Sequence, residues 1–319
     1  MSNSIENIHS TRKQIDDTLA SLDAADPKRK RFRRFARLYL DLAFGDFARP
    51  ETPEDIRAIY DKIMDGEDAS VMPDGALFRK DPVFVSDGMQ QVHTGLYPES
   101  EIVRALEAML SITNSEEIPE LYSALVGHYI FEYIHPFYDG NGRTGRYLLS
   151  LFLELPLSKP TALSLSRVMA ENRSRYYQAF QSVENPLNHG EITFFVVTMH
   201  ELILMAQDRL IQRLESNNET LALLEQEADD LAAAGEYSEK ELALIFGLVQ
   251  QAAFGVGASM RLDMLCEIVG LGVQQTRKYL RELEERGVVV KTRGRNPLAF
   301  ALTSGFLQAV FPEAVSSGD

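Results

Sequence analysis

Within the first 230 residues only one stretch, VFVSDGMQQVHTG at 83–95, reads as β-structure, and that scarcity holds the chain to a helical architecture. Val83, Phe84 and Val85 are strand formers and Asp87-Gly88 is a hairpin turn signal, so a β-hairpin is expected from about Val83 to Thr94. Helical patterns lie on either side. SNSIENIHSTRKQIDDTLASL lacks proline and glycine and reads as a first helix; Asp26 and Pro27 look like the cap and first-turn proline of the next. That helix, KRKRFRRFARLYLDLAF, is basic on one side and aromatic on the other, the pattern of an amphipathic helix packed on a core. PEDIRAIYDKIM, PESEIVRALEAML, PELYSALVGHYIFEYIH, GRTGRYLLSLFLEL, LSLSRVMAENRSRYYQAFQSV and EITFFVVTMHELILMAQDRLIQRLES continue the series. NNETLALLEQEADDLAAAGEY prolongs the last of them toward a second domain.

The C-terminal part changes character. SEKELALIFGLVQQAAFG opens on a capping-box pattern, Ser238 followed by Glu241. RLDMLCEIVG is a short helix stopping at Gly270, Leu271-Gly272 makes the turn, and VQQTRKYLRELEERG is a third helix. VVVKTRGRNPLAFAL then alternates around RGRNP as a two-stranded wing would. Helix, helix, tight turn, helix, hairpin is the order of a winged helix-turn-helix. The expected division is 1–25 as an N-terminal helical region, 26–215 as a helical core, 216–237 as a helical linker, 238–305 as the winged-helix domain and 306–319 as a tail.

The chain has 319 residues, a length that suggests two domains, and a formal net charge of −15, so its surface as a whole is not built to attract nucleic acid or anionic lipid. Any such contact must come from a local patch. From Arg261 to Phe300 basic residues outnumber acidic ones, eight to five. Arg277, Lys278, Arg293 and Arg295 are the candidates for DNA phosphate contacts, although Glu282, Glu284 and Glu285 on the same helix oppose them. Protein docking, homodimer formation and a structural cap are the alternatives for this domain. The single cysteine, Cys266, excludes an intramolecular disulfide and suits a reducing compartment. No run of about 18 apolar residues occurs and the opening residues lack a secretory signal, so no membrane association is expected and the cytoplasm is the simplest address.

Chemistry concentrates in HPFYDGNGRTGR, residues 135–146. A Gly-Asn-Gly run before a helix leaves backbone N–H groups pointing outward at the positive end of the helix dipole, which suits an anion. Gly140 and Gly142 permit positive φ and close approach of a phosphate, and Asn141 tolerates the same backbone. Arg143 and Arg146, three apart, can reach over one face, and guanidinium groups bind phosphate oxygens bidentately. Asp139 is the hard oxygen ligand that Mg²⁺ prefers when it also holds substrate phosphates. His135 ends the preceding helix and can act as a general base near neutral pH. Phe137 alternates with these polar residues, so its ring should turn inward and anchor the loop. The residues alone point to a phosphate-binding helix start, a metal-capable acid and a base, without saying which phosphorus is attacked.

The stretch resembles the signature of the Fic family, H-P-F-x-D/E-G-N-G-R-x-x-R, with every fixed position filled, and the resemblance covers roughly residues 1 to 215. It implies an all-α core with a small β-hairpin flap, here with Val92, His93 and Thr94, that aligns a target segment by strand pairing. It also implies AMP transfer from ATP to a hydroxyl side chain of a protein target, which can be the chain itself. His135 would deprotonate the target Ser, Thr or Tyr, and Asp139 would hold Mg²⁺ between the α- and β-phosphates. The N–H groups of Gly140, Asn141 and Gly142 would cradle the phosphates, with Arg143 toward the β-phosphate and Arg146 toward the γ-phosphate. NRSRYYQAF is similar to the family's nucleotide-side helix, which would make Tyr176 and Tyr177 lining of an adenine pocket. SNSIEN at 2–7 resembles the inhibitory pattern of self-inhibited members, [S/T]-x-x-x-E-[G/N], carried here by Ser2, Glu6 and Asn7. Glu6 would then occupy Arg146, and could also position a water that removes AMP from a modified target. Only five residues precede Glu6, so the brake is expected to be poorly anchored. Two other readings remain open from the residues: a DNA-binding regulator whose core senses nucleotide, and phosphate transfer from an ATP bound in reverse.

Overall fold

The computed structural model describes residues 30–45, 48–86, 91–255, 257–293 and 298–316. The expected N-terminal helix at 1–25, with Ser2, Glu6 and Asn7, and the hairpin turn at 87–90 lie outside them. Two compact units follow one another, one ending at Leu210 and the next beginning at Ile211.

The first unit holds α1 (Lys30–Phe44), α2 (Pro53–Met64), the hairpin β1 (Phe84–Ser86) and β2 (Gln91–Thr94), α3 (Glu99–Thr113), α4 (Glu120–Ile134), α5 (Asn141–Phe152), α6 (Lys159–Glu171), α7 (Arg173–Glu184) and the start of α8 (Thr193–Ala233). Local chemistry explains several boundaries. Thr52 and Asp55 form a reciprocal capping box with Pro53 in the first turn of α2, and Ser158 caps α6 through the N–H of Thr161. β1 and β2 pair antiparallel, and the register slips after Val85↔His93 to Ser86↔Gln91, which leaves Val92 as the bulged residue. One core joins α2, α3, α4, α5, α6 and the start of α8, through Ile56, Leu106, Phe131, Leu148, Leu165 and Phe195. α4 is apolar nearly all round and lies centrally, so the residue at its C-terminal end has its position set on several sides. The helical fold with a small hairpin is the one the patterning predicts.

The second unit takes in the end of α8, α9 (Glu239–Phe254), β3 (Met260–Arg261), α10 (Leu262–Val269), α11 (Val273–Glu285), β4 (Val289–Arg293), β5 (Ala299–Leu302), α12 (Ser304–Val310) and α13 (Pro312–Ser316). The Ser238–Glu241 capping box opens α9, and Gly270, at φ 65°, caps α10 in the left-handed region. The strands form one antiparallel sheet in the order β3-β5-β4. Two segments differ from expectation. Leu224, placed in a linker by its acidic surroundings, is fully buried in this unit's core. Residues 304–316 carry two short helices, and Phe311 and Ala314 are buried in the same core, so apolar burial turns most of the expected tail into structure.

Candidate active site

The site is built on the break between α4 and α5. His135 caps α4 in the left-handed region, φ 52° and ψ 59°, and its N–H still donates to Phe131 O at 3.0 Å. Pro136 cannot continue the helix, so the chain must turn there. A non-glycine residue in this region costs about 1 kcal/mol or more, which the packing around it must offset. The His135 Nδ1 faces the carbonyl of Glu132 at 3.3 Å. A carbonyl only accepts, so Nδ1 carries the hydrogen and Nε2 presents a lone pair. Burial drives the imidazole pKa down to about 4; the Glu132 carbonyl opposes this, and the charges of His93 and Arg79 add to it. At neutral pH the ring is therefore an unprotonated base.

The loop that follows is locked from below. Phe137 is fully buried, stacked on Tyr60 of α2 at 3.6 Å and 10°, with Phe78 5.5 Å away. Its inward turn takes the ring itself away from any ligand. Asn141 accepts from Phe137 N–H at 2.9 Å and donates back to Phe137 O at 2.8 Å, so both ends of its amide are spent on the loop. Gly140 adopts φ 84°, and a Cβ there would lie 2.6 Å from Met64 Sδ. Asn141 and Gly142 do not share that backbone; α5 already begins at Asn141. The N–H of Gly140 donates to Asp139 Oδ1 at 2.7 Å, and no side chain caps α5. The amides open to an anion are thus those of the first helical turn, from Asn141 onward, rather than that of Gly140.

The two arginines part company. Arg143 donates through Nη1 to Glu67 Oε1 at 2.7 Å and faces Asp139 Oδ2 at 3.4 Å. Arg146 is half-buried, has no ion pair among the described residues, and folds back along α5; a Cβ on Gly142 would lie 3.0 Å from its Nη1. Glu132 of α4 is partly buried, and its Oε1 is shielded from solvent without a hydrogen bond among the described residues. Burial raises that carboxyl to about 7 against the pull of Arg146 and His93. Its Oε1 rests on Gly145, where a Cβ would approach to 2.2 Å. Tyr176 is buried and hydrogen bonds His128 Nε2 at 2.8 Å, whereas Tyr177 is exposed beneath the guanidinium of Arg173.

On the flap, His93 Nδ1 meets Glu184 Oε2 at 2.9 Å and its Nε2 meets Tyr133 O at 2.6 Å. Both partners are acceptors, so both ring nitrogens carry hydrogen. Burial opposes that charge, but the Glu184 carboxylate and the Tyr133 carbonyl outweigh it and the pKa is raised. Thr94 joins His93, Tyr129, Tyr133 and Glu184 around a cavity of about 630 Å³. The side chain of Val92 lies outside the described residues.

Asp139 is about half exposed, and no group of three or more metal-ligating side chains occurs among the described residues. One exposed carboxylate beside an uncapped helix start fits Mg²⁺ bound mainly through a nucleotide and water. Sequence reasoning missed Glu67, Arg79, Glu132, Gly145 and Glu184, because each acts through a partner far away in the chain.

The Fic/DOC family profile matches residues 50–153. A protein adenylyltransferase Fic of Nematostella vectensis is 31% identical over 119 residues, which is 37% of this chain and 25% of the relative. The one of Drosophila virilis is 29% identical over 123 residues, 39% of this chain and 23% of the relative. The chain thus spans about a quarter of the length of these relatives. A crystal structure of a Fic family protein from Desulfovibrio desulfuricans G20 is 20% identical, with a TM-score of 0.50 over 95% of this chain and 84% of that one, a likeness of fold. Among the described residues no helix is long and apolar enough to cross a membrane. The matched segment, residues 50–153, is the part of the chain that carries His135, Asp139, Arg143 and Arg146, and it is there that the chain is similar to the Fic/DOC family.

Proposed function

We propose that the chain transfers AMP from ATP to a hydroxyl side chain of a protein target. The observation that carries this reading is the unprotonated Nε2 of His135 beside the uncapped start of α5. In this reading the hydroxyl oxygen attacks the α-phosphorus, the bond to the β-phosphate oxygen breaks, and pyrophosphate leaves. His135 Nε2 takes the hydroxyl proton, a role worth about 10²–10⁴-fold in rate. The amides of Asn141 and Gly142 and the guanidinium of Arg146 receive phosphate charge, and Arg143 joins them on release from Glu67. Mg²⁺, when bound on Asp139, would neutralise phosphate charge. Incubation with α-labelled and γ-labelled ATP tests the reading. Label on protein from the α position, lost in His135→Ala, is expected; label from the γ position alone would mean phosphate transfer.

Self-inhibition by Glu6 belongs to the same proposal. It is motivated by Ser2, Glu6 and Asn7 in the sequence and by an Arg146 without an ion pair among the described residues. Glu6→Gly should raise auto-modification and abolish any AMP removal; unchanged auto-modification would remove the brake from the account.

We further propose that residues 238–305 act as a winged-helix module in a cytoplasmic protein, with DNA or a second copy of the chain as its partner. The order α10, turn, α11, β4, β5 supports this, as do exposed Gln274, Gln275, Arg277, Lys278 and Arg281 on α11. Lys278 reaches Glu282 at 3.8 Å; Arg277 and Arg293 have no ion pair among the described residues, and Arg295 lies outside them. Gel retardation with Arg277→Ala separates DNA from dimer formation, which sedimentation reads directly.

A further inference from the structure

We propose that Arg79 is a positioning residue for the transfer, whose buried guanidinium ties both stems of the flap to the backbone of His135. The inference rests on the AMP-transfer reading above.

Arg79 is fully buried. A buried guanidinium is costly unless its hydrogen bonds are met, and the usual partner is a carboxylate. Here, among the described residues, its hydrogen bonds go to carbonyl oxygens alone. Nε donates to His135 O at 2.9 Å, Nη1 to Asp81 O at 2.7 Å, and Nη2 to Leu96 O at 2.7 Å and Ile134 O at 3.3 Å. Asp81 precedes β1, Leu96 follows β2, and Ile134 and His135 are the C-terminal end of α4. Each of these four acceptors therefore belongs either to a flap stem or to the turn that carries the base.

The arrangement solves a problem of the helix end. The last carbonyls of α4 have no intrahelical donor and carry the negative end of the dipole, which favours a cation. Arg79 satisfies two of them and holds His135 in its left-handed conformation. Backbone bonds reinforce the join: Arg79 N–H donates to Pro136 O at 3.3 Å and Leu96 N–H to Ile134 O at 3.0 Å. Gly95 makes room for it, since a Cβ there would lie 2.4 Å from Arg79 Nη2 and 3.0 Å from the His135 Cβ. The planar fork of arginine spans these diverging acceptors; a lysine ammonium cannot. The distance between the imidazole and a segment laid on the flap is thereby set by this side chain together with the two backbone bonds. Displacing a reacting group by about 1 Å costs on the order of 10²-fold in rate.

The test uses the full chain carrying Arg79→Lys, and Gly95→Ala, which leaves Arg79 in place but crowds it. Each is assayed well below its melting temperature, so a purely stabilising role moves only Tm. The expected result is ATP affinity by calorimetry within about threefold of wild type, KM similarly retained and kcat lowered about 10²-fold. NMR titration of the His135 imidazole should show its pKa moving up toward that of an exposed histidine as the ring leaves its buried seat. A folded Arg79→Lys with kcat within twofold of wild type and an unchanged His135 titration would overturn the proposal. Should Arg79→Lys fail to fold, Gly95→Ala decides by the same two readouts. If wild type itself transfers no AMP, the AMP-transfer reading falls, while the His135 titration still judges Arg79.

Discussion

Glu67, in the turn after α2, accepts a hydrogen bond from Arg143 Nη1 at 2.7 Å, and both side chains are largely buried. The signature arginine nearest the helix start is thus already held by a carboxylate from a segment 76 residues upstream. A phosphate arriving at α5 must draw Arg143 away or share it with Glu67. Glu67→Gln is expected to tighten ATP binding by about three- to tenfold, read by calorimetry at fixed salt. Weaker binding would show instead that Glu67 orients Arg143 for the phosphate.

The His135 pKa is held down to about 4, chiefly by burial. Only the neutral ring accepts a proton, so activity should be lost as pH falls through about 4 rather than through the ordinary value of about 6.5. A pH profile of kcat for AMP transfer checks this. A midpoint near 6.5 would mean the base is solvated in the working complex.

Glu132 and Gly145 make a stability prediction. Burial raises the Glu132 carboxyl from 4.5 to about 7. Between those values the unfolded chain releases its proton while the folded chain keeps it, so stability falls as pH rises through this window, then levels. The difference between wild type and Glu132→Gln in urea unfolding should shift by about 3 kcal/mol across it. His128 and His135, both depressed by burial, lose stability in the opposite direction as pH falls, so the difference and not the raw curve isolates Glu132. Gly145→Ala crowds the same carboxyl and should destabilise by about 1–3 kcal/mol.

The His93–Glu184 pair anchors the flap strand to α7. Because the His93 pKa is raised in the folded chain, its contribution is complete below the unfolded value of about 6.5 and is lost as pH rises through the folded one. Amide exchange of β2 should therefore quicken with pH beyond the intrinsic base-catalysed increase. In Glu184→Gln the His93 titration should move down and that extra step should disappear; an unmoved titration would place the stabilising charge elsewhere.

Much of the architecture was legible because it is written in local terms. Helical periodicity, the Ser238–Glu241 box and the strand formers at 83–85 act within a few residues, and most of the described helices and the hairpin lie where those patterns put them; LSLSRVMAENRSRYYQAFQSV, which reads as one helix, instead breaks at Asn172 into α6 and α7. The segment GRTGRYLLSLFLEL puts the start of α5 one residue late, since Gly-Asn-Gly looks like a loop when in fact only Gly140 of the three needs positive φ. Phe137 was expected to turn inward, but its seat on Tyr60 depends on α2 packing across the loop. Tyr176 and Tyr177 look equivalent in sequence, yet helix α7 buries one against His128 and exposes the other.

By itself the sequence determined a helical Fic-type core and the twelve-residue signature, because backbone preference and residue type are properties of neighbours along the chain. Only the tertiary structure decided that Arg143 is engaged by Glu67, that Glu132 Oε1 is seated against Gly145, and that Arg79 binds His135 to the flap. Those are contacts between different elements of the fold. Their energies arise from burial and charge at close range, and neither quantity exists until the chain has folded.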